Sequence, residues 1–133
     1  MLIIAIDDPQ RTLEMVKFAK REHPAIHVVA RAYDRHHVYE LYRAGADDIV
    51  RETFDSAVRA SRYALQGLGD NETKARRITE LYVKHDRKTL RELAQVWEPG
   101  MEVADSEEYK SVAKENRDLL TEAIRTLKDE CQS

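Results

Sequence analysis

Four charged side chains that follow three apolar segments are the residues of this chain best suited to binding chemistry. Asp7 and Asp8 follow the first segment, Asp34 follows the second, and Arg51 follows the third. If the segments are parallel strands, their carboxyl ends lie along one edge of a sheet, where open α/β sheets bind their ligands. The Arg51 guanidinium has the planar fork that suits a carboxylate or phosphate, and Asp34 can accept an ammonium group. A small zwitterion fits this pair, and the alternative is that these residues cap helices and pair with one another.

The sequence signals for a nucleotide-binding loop, a metal site or a catalytic nucleophile are weak. Gly67 and Gly69 form a G-x-G pattern, but they close a predicted helix instead of joining a strand to a helix, so they are not a dinucleotide-binding fingerprint. His36 and His37 are neighbours on a predicted helix and point about 100° apart, which disfavours a shared metal ion. Cys131 lies near the C terminus with no evident base to activate it. We therefore expect neither a metal site nor an enzyme.

The elements that must position these residues alternate between strand and helix up to about residue 53. Short apolar runs predict strands at residues 2–6, 26–30 and 48–50, and amphipathic periodicity predicts helices at 12–21 and 35–44. This alternation is typical of a parallel sheet, and near-continuous apolar strands are typical of a sheet covered by helices on both faces. The apolar edge at residues 2–6 needs a cover, which is either a preceding half of the domain or another chain.

Beyond residue 53 the periodicity is helical throughout. Four helices are predicted, at residues 54–68, 71–85, 86–97 and 105 to about 130. Asp86 is the predicted N-cap of the third and Asp105 that of the fourth. The apolar stripe of the first of these helices predicts a core contact or a dimer interface.

The composition limits the classes of function that remain. The chain has 133 residues, of which 42% are hydrophobic and 35% charged, enough for one modest folded domain. A net charge of −3 gives no sign of nucleic-acid binding. The longest apolar run, residues 1–6, is too short to span a bilayer and lacks the features of a signal peptide. A single cysteine excludes a disulfide within the chain and favours a reducing compartment.

Several motifs, taken in order, resemble one known family. They are AIDDPQ at residues 5–10, ARAYDRHH at 30–37, ELYRAGAD at 40–47, RETFDSAVRASRYAL at 51–65, GLG at 67–69 and LYVKHD at 81–86. Together they resemble the KTN domain, also called RCK or TrkA-N, of the Kef-type glutathione-regulated potassium efflux systems. The resemblance runs from residue 2 to about residue 93, and beyond it the match is helical in character only.

The resemblance implies a cytoplasmic regulatory module on the bacterial inner membrane, attached to a transporter that exchanges K⁺ for H⁺. In the family, glutathione holds the system closed and glutathione adducts open it, while a nucleotide, NAD or AMP, occupies the Rossmann site. Carried over by motif position, the glutathione site would include Asp34, Arg51 and Asp86, and Asp7 and Asp8 would lie near the nucleotide. The family domain also forms a homodimer through a crossover helix that residues 54–68 resemble.

The resemblance also completes the predicted fold class, which is α/β. Residues 1–53 are predicted to be the second half of a Rossmann-like parallel three-layer sheet, residues 54–98 the crossover and dimerisation helices, and residues 99–133 a C-terminal helical extension. The family's glycine loop, first three strands and membrane part have no counterpart here, so we expect a truncated or degraded piece of a longer protein. Two alternatives are a fragment of an NAD-binding Rossmann oxidoreductase and a purely structural dimerisation module.

Overall fold

The computed structural model describes residues 1–130, which form a parallel sheet followed by helices. The strands are β1 (Leu2–Ile4), β2 (Val28–Ala32) and β3 (Asp48–Arg51). Two helices connect them, α1 (Pro9–Glu22) and α2 (Arg35–Arg43). Three more follow the sheet, α3 (Glu52–Gly67), α4 (Glu72–Val96) and α5 (Glu107–Glu130), with a short 3-10 turn at Val103–Asp105 before the last. Cys131 lies outside the described residues.

The sheet has the strand order β1-β2-β3 with all pairs parallel, which confirms the predicted α/β class. Side chains alternate along the strands, so Ile4, Val28 and Ala30 are buried in the core beneath α1 and α2. The opposite face is open within residues 1–130, where Ile3 is 63% exposed. The expectation that helices cover both faces of the strands is therefore not met by the described part of the chain.

Helix ends in the sheet region follow local capping chemistry. Asp8 caps α1 by accepting a hydrogen bond from the Arg11 backbone N–H at 3.0 Å, and Pro9 occupies the first turn. Gly45 follows α2 with φ near +97°, a conformation that L side chains rarely adopt. Asp8 thus fixes the start of α1 just beyond β1, and Gly45 lets the chain turn from the end of α2 towards β3.

The helical region departs from the prediction at three points. A single helix, α4, runs through Asp86, so this residue lies in mid-helix and caps nothing. Ser106 rather than Asp105 caps α5, because its hydroxyl accepts from the Tyr109 N–H at 3.2 Å. The helix α3 has no buried residue, so its apolar stripe does not make the core contact that was one of its two predicted roles, and the dimer interface stays a prediction. Strand β2 also begins two residues later than predicted.

The core is continuous from the sheet into the C-terminal helices. Tyr39 and Leu41 of α2 are fully buried and belong to the same cluster as Leu93 of α4 and Tyr109 of α5. The α/β part and the helices therefore share one core. Within residues 1–130, no helix is both long and apolar enough to cross a lipid bilayer.

Candidate functional site

A cleft of about 730 Å³ opens at the carboxyl ends of the three strands. Its wall includes Asp7 beyond β1, Arg31 and Asp34 at the end of β2, and Arg51 at the end of β3. Asp8 is not among the residues of the wall, because it turns to cap α1. The topology thus brings three of the four charged residues singled out from the sequence to one site, as expected for parallel strands. Their roles as ligand contacts stay predictions.

Asp34 is both a wall residue and the N-cap of α2. Its carboxylate accepts a hydrogen bond from the His37 backbone N–H at 2.8 Å. The His37 ring folds back, and its Nδ1 accepts from the Tyr33 N–H at 3.0 Å. Asp34 retains acceptor capacity on its second oxygen, since a carboxylate has about four lone-pair sites.

Arg51 is held between a carboxylate and an aromatic ring. Its guanidinium donates to the carboxylate of Asp86 on α4 and lies over the Phe54 ring, 3.8 Å from the centroid. Phe54 in turn stacks on Tyr82 at 6.0 Å between centroids. The side chains of Arg51 and Asp86 are only 20% and 15% exposed. A ligand anion that binds Arg51 must therefore compete with Asp86 or share the guanidinium with it.

Asp86 approaches Arg51 from outside the main cleft. It lines a neighbouring cavity of about 120 Å³, and Arg51 and Phe54 belong to the walls of both cavities. Of the three predicted glutathione-site residues, Arg51 thus contacts Asp86 on the α4 side and shares the wall of the main cleft with Asp34.

The remaining charges of the cleft are also paired. Arg31 donates to Asp7 and lies 3.7 Å from the Glu52 carboxylate. Arg35 donates to the Tyr39 hydroxyl at 2.7 Å. The two interpretations of the charged edge are therefore compatible: the residues converge on one cleft, and they also cap helices and pair with one another.

A buried pair of tyrosines connects this edge to α5. The Tyr39 and Tyr109 hydroxyls lie 2.7 Å apart, and the Tyr39 ring is also near Trp97 at 5.6 Å. Burial, followed by the hydrogen bond with Tyr109, raises the pKa of Tyr39 to about 12, against the opposing effect of Arg35. Tyr39 is therefore a neutral phenol at physiological pH.

Sequence reasoning missed several wall residues. Arg31, Arg35, His37 and Glu52 all line the cleft. A signal was present for Arg31, which directly follows the predicted strand at residues 26–30, and for the other three, which lie in the first turns of helices that begin at this edge. Within residues 1–130, no group of three His, Cys, Asp or Glu side chains is arranged to hold a metal ion.

Comparisons with known proteins cover nearly the whole chain. Residues 56–131 match the family described as potassium efflux system KefB C-terminal domain, and residues 1–52 match the TrkA-N domain. A glutathione-regulated potassium-efflux system protein KefC from Enterobacter sp. (strain 638) is 32% identical over 93% of this chain and 19% of its own length. Its counterpart from Escherichia coli O139:H28 is 35% identical over 72% of this chain and 16% of its own length. The chain thus spans about a fifth of the length of these relatives.

A solved structure gives a similar result. The structure described as Shewanella denitrificans Kef CTD in AMP bound form is 45% identical to the chain, with a TM-score of 0.68. The match covers 73% of this chain and 62% of that one. At 45% identity the two chains share much of their sequence as well as their fold.

Proposed function

Since the chain belongs to the potassium efflux system KefB C-terminal domain family, we propose that it is the ligand-sensing regulatory module of a potassium efflux system that exchanges K⁺ for H⁺. The relatives described above are named as glutathione-regulated transport proteins, which favours this function over the oxidoreductase alternative and over a catalytic role. The observation that carries the proposal is the Arg51–Asp86 pair, which links the wall of the cleft to the helices that follow it.

The proposed ligand is glutathione or a glutathione adduct. Such a ligand carries two carboxylates and one ammonium group, so it needs a cation and an anion from the protein. Arg51 would take a carboxylate, while Asp34 and Asp86 would take the amine. The 730 Å³ cleft lies within the usual range for a small-molecule site.

The proposed mechanism is a population shift. The Arg51–Asp86 contact joins the end of β3 to α4. A ligand bound at Arg51 would weaken or replace this contact, and so would change the relative free energy of the arrangement in which β3 and α4 are in contact. Ligands of different bulk that favour different arrangements would shift the equilibrium in opposite directions. The helices would transmit the difference to the transporter part of the complete protein.

The complete protein is proposed to bind a nucleotide as well, since the Shewanella relative is described as AMP bound. This chain supplies no phosphate-binding glycine loop, because its glycines, at positions 45, 67, 69 and 100, do not join a strand to a helix. Its residues therefore do not fit a whole nucleotide site. Asp7, which is exposed and accepts from Arg31, would lie near such a ligand, whereas the carboxylate of Asp8 caps α1.

The proposal extends to assembly and location. We propose a homodimer through α3, attachment to the membrane part of the same protein, and a position on the cytoplasmic face of the bacterial inner membrane. We also propose that the chain divides at residues 53 and 98 into a sheet part, crossover helices and a C-terminal extension.

A thermal-shift titration followed by calorimetry tests the ligand assignment. Glutathione and a bulky glutathione thioether should raise the melting temperature, because a ligand that binds only the folded state stabilises it. The Arg51→Ala variant should lose about a hundredfold in affinity for both, the equivalent of one or two charge-assisted hydrogen bonds. Arg59→Ala removes the same charge from an exposed position of α3 and should bind like the wild type. Equal affinity in the two variants would contradict the assignment.

A further inference from the structure

A groove between α4 and α5 adjoins the main cleft and has no role in the site described above. Its volume is about 360 Å³. Arg35 lines both this α4–α5 groove and the main cleft. Asp86 also lines the groove, while its carboxylate contacts Arg51. A ligand whose ammonium group reaches Asp86 would therefore lie next to the groove.

The hydrogen bonds of Arg35 place its guanidinium beside the α4–α5 groove. Its Nε donates to the Tyr39 hydroxyl at 2.7 Å, and that hydroxyl lies 2.7 Å from the hydroxyl of Tyr109, a residue of the groove wall. Because Tyr39 is fully buried, it is a fixed anchor for the guanidinium. A donor that is already held in place loses little conformational entropy when it binds a ligand.

The outer part of the Arg35 guanidinium is accessible and unused. Arg35 is an exposed residue, and within residues 1–130 its two terminal nitrogens have neither a hydrogen-bond nor an ion-pair partner. An arginine carries four N–H groups on these two nitrogens, in a planar arrangement that matches a carboxylate. Among the arginines of the main cleft, Arg31 and Arg51 contact carboxylates of the chain, so Arg35 differs from both.

The wall of the α4–α5 groove carries a surplus of positive charge. Arg117 of α5 belongs to the same wall, is exposed, and has no ion-pair partner in the part of the chain that the structure describes. Asp86 is the one acidic residue of this wall, and its carboxylate already contacts Arg51. Two arginines from different helices are thus available to one anion.

The proposed ligand has a charge that the site described above does not match. The ammonium group and one carboxylate of glutathione are bonded to the same carbon, so they suit the contacting pair Arg51 and Asp86. The second carboxylate is at the other end of the tripeptide, and it needs a cation outside this pair. Arg35 and Arg117 are cations beside Asp86 that no carboxylate of residues 1–130 contacts.

We propose that the α4–α5 groove binds the second carboxylate of the ligand, through the guanidinium groups of Arg35 and Arg117. The inference rests on the proposed function, because it requires a ligand that binds at Arg51 and Asp86. The groove would then select zwitterions with a second carboxylate over single amino acids, which match only the Arg51–Asp86 pair.

Calorimetry with glutathione and with its C-terminal amide, which lacks the second carboxylate, tests the groove. The wild type should bind the amide about tenfold more weakly, as expected for the loss of a charge-assisted hydrogen bond. Arg35→Met keeps an apolar stem without the guanidinium, and it should bind the two ligands nearly alike. Arg117→Met makes the same test from α5, so the result does not depend on the folding of one variant. Arg59→Met, at an exposed position of α3, should keep the wild-type difference.

The outcomes separate the inference from the proposed function. A difference between the two ligands that shrinks in Arg35→Met or in Arg117→Met, but not in Arg59→Met, supports the inference. Equal binding of the two ligands by the wild type would overturn the inference and leave the proposed function standing. A difference of unchanged size in both groove variants would do the same, because the second carboxylate would then be bound elsewhere. Binding of neither ligand by the wild type would contradict both.

Discussion

Arg51 contacts an aromatic ring and a carboxylate at once, and both partners lie on helices that follow the sheet. A ligand that binds at this residue, as we propose, would therefore exchange with these partners instead of filling a vacant position. A simple anion that took Arg51 away would leave the Asp86 carboxylate, 15% exposed, without its counterion. Uncompensated charges with little access to water are unfavourable. A zwitterion avoids this penalty because its ammonium group can replace the guanidinium at Asp86.

The Asp86→Asn substitution should therefore reduce the selectivity of the site for an amine. Asparagine has the same shape and no charge, so the wild type should prefer glutathione over an analogue without the α-amino group by about tenfold, and this preference should shrink in the variant, where Asp34 alone remains to take the amine. Calorimetry on the two ligands measures the ratio. Asp118→Asn, an exposed position on α5, is the matched control and should keep the wild-type preference. A preference of unchanged size in Asp86→Asn would show that Asp86 does not hold the amine.

The buried Tyr39 phenol predicts a stability change at alkaline pH. Its folded-state pKa of about 12 lies above the unfolded value of about 10, since burial and the Tyr109 hydrogen bond favour the neutral form. The resulting stabilisation is fully present below about pH 10 and is lost as the pH rises towards 12. The stability advantage of the wild type over Tyr39→Phe, from urea denaturation, should shrink over that interval. Tyr63→Phe, at an exposed position, should follow the wild type at every pH.

Among the elements, α4 shows what the sequence could and could not predict. Its helical periodicity was readable, because Ala75, Ile78, Leu90 and Leu93 recur at helical spacing and are buried. Its continuity was missed because Asp86 has the side chain of an N-cap. The carboxylate instead pairs with Arg51, 35 residues earlier, and a contact at that separation leaves no mark in a local pattern.

The shared core predicts that the sheet and α4 unfold together. Leu93 is 1% exposed and belongs to the cluster that includes the sheet residues. Leu93→Ala should lower the free energy of unfolding by about 2–5 kcal/mol, through lost burial and the cavity left behind. Urea denaturation, followed by both tyrosine fluorescence and circular dichroism, should show a single transition. Leu119→Ala on the exposed side of α5 should cost far less, and two separate transitions in Leu93→Ala would indicate an independent helical unit.

In the molecule as a whole, the parts predicted best are those whose partners lie close in sequence. The order of strands and helices through Arg51 and the cleft at their carboxyl ends follow from local patterns and from the rules of parallel sheets. The surface that packs against a given helix or strand could not be predicted, because an apolar stripe does not indicate which other element it contacts. The open sheet face and the unburied α3 are both cases of this kind.

The exposed face of α3 leads to a prediction about assembly. Ala57, Ser61 and Ala64 recur at helical spacing, are exposed, and are small enough to let a second helix approach closely. If two chains pair along this face, light scattering should give the mass of two chains for the wild type and of one chain for Ala64→Glu, because the substitution places an unpaired charge in the contact. Phe18→Glu adds the same charge at an exposed apolar position of α1 and should leave the dimer intact. Dissociation by Phe18→Glu but not by Ala64→Glu would instead place the interface on α1.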